Sequence, residues 1–270
     1  MSERSSLTSY SDRLNANTHS SDGLHRSLDR DTVEMSETSM ASKNSVKVNL
    51  PQAYYHIYNR GVEKRSIFLD DQDYSVFLSY LKTYLCPKDE NFLLSILSSH
   101  EATREEKIEA QKLLNLKNYS DSIDLLAHAL MPNHFHLLIY QSKNVLDAFM
   151  NSLGTRYVMY FNKKYDRKGV LFQDVYKAVR IQSDDQLLSV SKYIHLNGPT
   201  SLNLPPHRYK ESKFPCSLHE YIEGKQTSWI KTNHILNYFN AKNPSSSYRS
   251  FILDESKIDD IQDELIDFEG

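Results

Sequence analysis

The hydrophobic pattern divides the chain into a polar start, a strongly patterned middle and an acidic end. Residues 1–46 are rich in Ser, Thr, Asp and Asn and carry no apolar period. Such a stretch buries too little to offset the entropy of ordering it, so a disordered tail is expected there. Pattern begins at residues 52–59 (QAYYHIYN), an aromatic and β-branched run closed by Arg60 and Gly61, which reads as a strand. Gly61 is expected to serve a turn at positive φ. Asp70 opens a helix whose face, Tyr74, Phe77, Leu78, Leu81, Tyr84 and Leu85, recurs every three or four positions and stops before Pro87. Residues 91–98 read as a strand and 101–114 as a charged helix, so 86–120 look like an insertion. Residues 123–130 are a strongly apolar strand, Met131, Pro132 and Asn133 a tight turn, and 134–140 the return strand. Asn144 is placed to cap a helix over 145–164, with Leu146, Phe149, Met150, Leu153, Tyr157 and Phe161 on one face. Residues 175–182 give another strand, and Ser183 caps a helix to about 196, stopped by Gly198 and Pro199. Helical turns follow near 218–221 and 230–239. The acidic stretch 244–270 reads as a tail whose Phe251, Ile252, Ile258 and Ile261 form at most a short helix outside the main core. The order of elements predicts an α+β fold: a ferredoxin-like antiparallel sheet with helices packed on one face, in a domain over 47–243 extended by helices from about 200.

Charge refines this picture. The formal net charge is −3, which speaks against a nucleic-acid binder until it is resolved along the chain. Residues 1–46 carry five basic and seven acidic groups, and residues 246–270 two basic and eight acidic, so the remainder stands at +5. A mildly basic body between acidic ends fits a phosphate-bearing partner. Eighteen tyrosines supply rings and hydroxyls suited to base stacking and phosphate chemistry. Two cysteines, Cys86 and Cys216, make neither a disulfide framework nor a zinc site, which implies a reducing, cytoplasmic setting. No apolar run approaches the roughly 20 residues of a membrane span.

The chemistry concentrates at Met131-Pro132-Asn133-His134-Phe135-His136-Leu137-Leu138-Ile139. Side chains alternate along a strand, so His134 and His136 share a face with Cα atoms about 6.6 Å apart. Two imidazoles at that spacing can converge on one metal ion, although a His-x-His pair is also common in ordinary half-buried strands. Downstream, Tyr193 and Asn197 stand four residues apart, on one face of the last long helix. Tyr157, Tyr160 and Tyr176 are rival hydroxyls, and His56, His128 and His195 read as structural. Arg60, beside Gly61, and the stripe Arg156, Lys163, Lys164, Arg167 and Lys168 are candidate phosphate contacts; a solvated helix end explains the stripe equally well.

The stretch LMPNHFHLLI resembles the His-hydrophobic-His signature of HUH endonucleases, and above all the single-tyrosine insertion-sequence transposases and the REP-associated tyrosine transposases. Residues 54–78, 162–179 and 191–199 resemble further motifs of that family in the same order, so the likeness covers roughly 47–200. It implies that His134, His136 and Asn197 bind Mg²⁺ or Mn²⁺ and that Tyr193 is the nucleophile. It further implies a single-stranded or hairpin DNA substrate, nicking and rejoining through a 5′-phosphotyrosine, and a homodimer. Gly198 intervenes where the family places Pro directly after the Asn. Two other readings stay open: a catalytically inactive, domesticated DNA- or RNA-binding relative, and a metal phosphoesterase that uses water.

Overall fold

The computed structural model describes residues 49–201, 206–224, 227–239 and 246–254. The tail expected over 1–46 and the acidic residues 255–270 lie outside the described residues. Four strands, β1 (Ala53–Arg60), β2 (Ile123–Met131), β3 (His134–Gln141) and β4 (Lys177–Ile181), form one antiparallel sheet in the order β2-β3-β1-β4. That order and direction are those of a ferredoxin-like sheet. β1 lies between β3 and β4, which is why its burial is almost continuous rather than alternating.

The sheet carries helices on both faces, not one. On the first face, α1 (Asp71–Leu85) and α4 (Leu146–Lys164) pack Phe77, Leu81, Phe149, Leu153 and Tyr157 against Tyr55, Ile57, Phe135, Leu137 and Ile139. On the second face, α5 (Asp184–Ser201) sets Leu187, Val190 and Ile194 against Leu126, Ala127, Ala129, Leu138 and Ile181. The expectation of a single covered face fails for a physical reason: the central strands carry apolar residues on both sides, Leu138 and Ile139 in succession, and both sides must be shielded. A bulge in β2 between Leu125 and Ala127 changes the alternation, so that Leu126 and Ala127 both join the second core.

Several local expectations are corrected. Residues 91–98 are not a strand; they fall in α2 (Glu90–Ser98), capped by Asp89, whose side chain accepts from the Phe92 amide at 2.9 Å. The charged helix is α3 (Arg104–Asn115), opened by a reciprocal capping box between Thr103 and Glu106. Asn144 does not cap α4. Gln141, fully buried at the end of β3, accepts from the Val145 and Leu146 amides at 3.2 and 3.1 Å. Gly198 and Pro199 do not stop α5, which runs on to Ser201. A Cβ at Gly198 would lie 2.7 Å from Ser212 Oγ, a hydroxyl that can turn aside, and 3.7 Å or more from everything else. Gly61 has φ −65, so it serves no left-handed turn; a Cβ there would meet the Arg65 carbonyl oxygen at 2.1 Å.

Beyond α5, α6 (Leu218–Ile222), α7 (Asn233–Leu236) and α8 (Tyr248–Leu253) complete the second layer. The expectation that residues after 244 stay outside the core is overturned for α8, whose Tyr248 and Ile252 are buried in it. Lys192, fully buried on α5, donates to the Asp254 carbonyl at the end of α8. Among the described residues no helix is long and apolar enough to cross a membrane, and both cysteines are free.

Candidate functional site

The α5 side of β1 and β3 carries a row of imidazole and phenol rings. Alternation puts His56 and Tyr58 of β1 on one face, with His134 and His136 of β3. The register sets Tyr58 opposite His136 and Arg60 opposite His134. His134 and His136 meet edge-on with ring centroids 5.0 Å apart, and His56 stacks on His136 at 5.1 Å. From α5, Tyr193 meets His136 edge-on at 5.3 Å and His56 at 5.9 Å. One turn later, Asn197 Oδ1 lies 3.2 Å from His134 Nε2. The structure thus gathers His134, His136, Tyr193 and Asn197 within one chain.

Burial sets the electrostatics. His56 and His136 are each 1% exposed. Burial holds His136 well below the usual imidazole range, with His56 and His134 adding to the effect, and lowers His56 to about 3. Burial also lowers His134; the bond to Asn197 opposes this, and the Arg60 charge adds to it. All three rings are therefore neutral near pH 7, each with one N–H and one lone pair. Asn133 Oδ1 lies 2.7 Å from His134 Nδ1 and Asn197 Oδ1 3.2 Å from its Nε2, two acceptors for the single N–H of the neutral ring. With the proton on the Asn133 side, the Nε2 lone pair is left facing the Asn197 carbonyl oxygen. Ligands at right angles on an ion with bonds of about 2.1 Å lie about 3 Å apart, so this pair has the spacing of neighbouring ligands. Among the described residues no group of three or more His, Cys, Asp or Glu is arranged to hold a metal ion. The donor set that fits is two imidazoles and an amide oxygen.

The rival residues are occupied elsewhere. Tyr157 donates to the Ile67 carbonyl at 2.6 Å, Tyr160 to Asp73 at 2.9 Å, and Tyr176 to Asp147; burial first of all pushes each hydroxyl up. His195 lies between Tyr248 Oη at 2.6 Å and Ser217 Oγ at 2.8 Å, and His128 stacks on Trp229 at 5.6 Å. Burial lowers them to about 3 and about 4.

The basic stripe is not brought to the histidines. It lies on α4 and the turn after it, and α4 covers the other face of the sheet. Arg156 sits 4.0 Å above the Tyr80 ring, Lys164 is paired with Asp70 and Asp73 at 2.7 and 2.8 Å, and Arg167 lies 5.6 Å over Phe161. Lys163 and Lys168 are exposed. Arg60 is at the site end of β1, its Nε donating to Gln173 Oε1 at 2.5 Å. Sequence reasoning missed two contributors. Asn133 orients His134, and His56 contacts His136 through Nε2 and Nδ1 at 3.0 Å. Alternation puts His56 and Tyr58 on one face; only the register shows that this face is the one His136 occupies.

Residues 76–197 match the family described as "Transposase IS200 like", a span that begins within α1 and ends at Asn197. That stretch is similar to the IS200-like transposase family. Both histidines, Tyr193 and Asn197 fall inside the matched span, whereas His56 and Arg60 precede it. A solved structure of the REP-associated tyrosine transposase bound to a REP hairpin is similar at 12% identity and a TM-score of 0.42, over 76% of this chain and 97% of that one. No curated protein matches the chain. In this chain the insertion forms α2 and α3, and the segment after the matched span forms the outer half of the second helical layer.

Proposed function

We propose that this protein is a metal-dependent endonuclease and strand transferase acting on hairpin-containing single-stranded DNA through a 5′-phosphotyrosine at Tyr193. The observation that carries this reading is the placement, by one helix, of a tyrosine ring against His136 and an amide oxygen against His134. His134, His136 and Asn197 are the ligands; neutral imidazoles leave the ion its full charge. When bound, the ion stabilises negative charge on the scissile phosphate and on the phenolate. Histidine donors favour Mn²⁺ over Mg²⁺ on intrinsic affinity.

The chain's own residues do the rest. Tyr193 is half-buried, and its ring is held edge-on to His136 and His56. Its oxygen attacks phosphorus, the bond to the 3′ oxygen breaks, and the strand leaves as a 3′-hydroxyl. The phosphotyrosine keeps the energy of the phosphodiester, so the same site can rejoin strands. Arg60, cross-strand from His134, is placed to meet a phosphate oxygen. The meeting of Tyr193 with His136, and of Asn197 with His134, within one chain supports action of the tyrosine in cis.

The test is a gel of labelled hairpin DNA incubated with protein and Mn²⁺. The reading expects a covalent protein–DNA adduct that Tyr193→Phe abolishes while DNA binding persists. An adduct that survives this substitution moves the nucleophile elsewhere. Cleavage without adduct supports a water-using phosphoesterase, and binding without cleavage supports a domesticated DNA-binding relative.

A further inference from the structure

His56 is a buried polar residue whose contacts do not account for it as a stabilising group. It is 1% exposed, its Nε2 lies 3.0 Å from His136 Nδ1, and its own Nδ1 is buried with no hydrogen-bond partner among the described residues. A buried polar atom left unpaired costs about 1–3 kcal/mol. An apolar ring of similar size would avoid that cost, so a buried histidine here calls for a role beyond packing.

The contact admits two proton arrangements, because each neutral imidazole has one N–H. In one, His56 Nε2–H donates to His136 Nδ1, and His136 must then carry its proton on Nε2. In the other, His136 Nδ1–H donates to His56 Nε2, and His136 Nε2 is a lone pair. His56 Nδ1 is unpaired in both, as a lone pair in the first and as a buried N–H in the second, so the second is the costlier for His56 alone and needs a gain at His136 to offset it. The choice falls on His136, whose second nitrogen can bind an ion only as a lone pair.

We propose that His56 is a positioning residue for the metal site: its Nε2 accepts a hydrogen bond from His136 Nδ1, fixing the ring and leaving Nε2 of His136 as the ligand atom. This rests on the reading of His136 as a metal ligand. The physical precedent is general: a ligating imidazole donates its other N–H to a neighbour, which sets tautomer, orientation and basicity. Here the neighbour is an imidazole on the adjacent strand rather than a carboxylate or a carbonyl. Stacking at 5.1 Å and an interplanar angle of 23° hold the two rings in register. His56 does not touch substrate in this arrangement; it acts through His136.

Three proteins decide the matter: wild type, His56→Phe, which keeps the bulk and removes the acceptor, and His56→Gln, whose amide oxygen restores one. Two measurements need no turnover. Long-range ¹⁵N–¹H NMR on the metal-free proteins reads which His136 nitrogen carries the proton, and Mn²⁺ titration by calorimetry reads affinity. Wild type should show His136 protonated on Nδ1. His56→Phe should lose that preference and bind Mn²⁺ about 10–100-fold more weakly, with His56→Gln in between. Wild-type His136 protonated on Nε2, or a folded His56→Phe protein binding Mn²⁺ as tightly as wild type, overturns the proposal. Absence of Mn²⁺ binding by wild type defeats the metal reading instead, and the NMR result then still decides the hydrogen-bond direction. Should His56→Phe melt below working temperature, His56→Gln and the wild-type spectrum carry the decision.

Discussion

At the scale of single residues, the site depends on which lone pairs face inward. In the proposed metal site Asn197 contributes only an amide oxygen, so Asn197→Ala would remove that ligand without touching the core. Mn²⁺ affinity measured by calorimetry should fall at least tenfold with little change in melting temperature. Asn197→Asp supplies an anionic oxygen in the same place and should bind Mn²⁺ more tightly than Asn197→Ala; equal affinities would remove residue 197 from the ligand set. His134 and His136 were legible because a spacing of two declares a shared strand face, whereas Tyr193 and Asn197 were singled out by their resemblance to the transposase motif, with a spacing of four that puts them on one helix face. Asn133 and His56 were not. The first acts through a side chain bent back on its own neighbour. The second is defined by a cross-strand register no local pattern contains.

At the scale of elements, α5 is the part on which the chemistry turns. Its buried side is fixed by His195, which lies between Tyr248 of α8 and Ser217 at the start of α6, the latter hydroxyl also accepting from the His128 amide of β2, while the other side holds Tyr193 and Asn197. At the end of the helix a Cβ on Gly198 would meet the Ser212 hydroxyl, which can turn away, and nothing else closer than 3.7 Å. Gly198→Ala should therefore cost no more than about 1 kcal/mol in urea unfolding and leave adduct yield within about twofold of wild type. A larger loss of either would show that the Ser212 hydroxyl is locked in place. The strand and helix periods of β1, β3, α1 and α5 were visible in sequence. The second helix was misread as a strand because Phe92, Leu93, Leu94, Ile96 and Leu97 form a short apolar run, which fits either period. The true cap of α4 was missed because it comes from the last residue of the preceding strand, outside the local capping window.

At the scale of the molecule, the second core is rich in neutral imidazoles. Burial lowers His56, His128 and His195 to about 3, 4 and 3. A folded-state value below the ordinary 6.5 means that the unfolded chain takes up protons first. The associated stability is complete above about pH 6.5 and is lost as pH falls toward 3–4. His136 is held well below the ordinary value too, so for four such groups urea unfolding of the metal-free protein should show stability falling by roughly 5–6 kcal/mol from pH 7.5 to 5.5, at about 1.4 kcal/mol each. A flat profile over that interval would mean the rings are not buried neutral. The same core includes α8, so the two ways of trimming the acidic end should differ. Removing 255–270 should leave the melting temperature nearly unchanged, while removing 246–270 strips Tyr248 and Ile252 and should lower it by several degrees. The second helical layer was not foreseen because its pieces are short and lie far apart in sequence, and their apolar residues show a purpose only once the sheet presents a second face.

The lysine immediately before the tyrosine gives this architecture a practical edge. Lys192 reaches from α5 to the Asp254 carbonyl, so the residue beside Tyr193 is moored almost directly to the end of α8. A purification tag, a fluorescent fusion or a surface tether attached shortly after Asp254 would pull on that mooring and reach the helix that carries Tyr193 and Asn197.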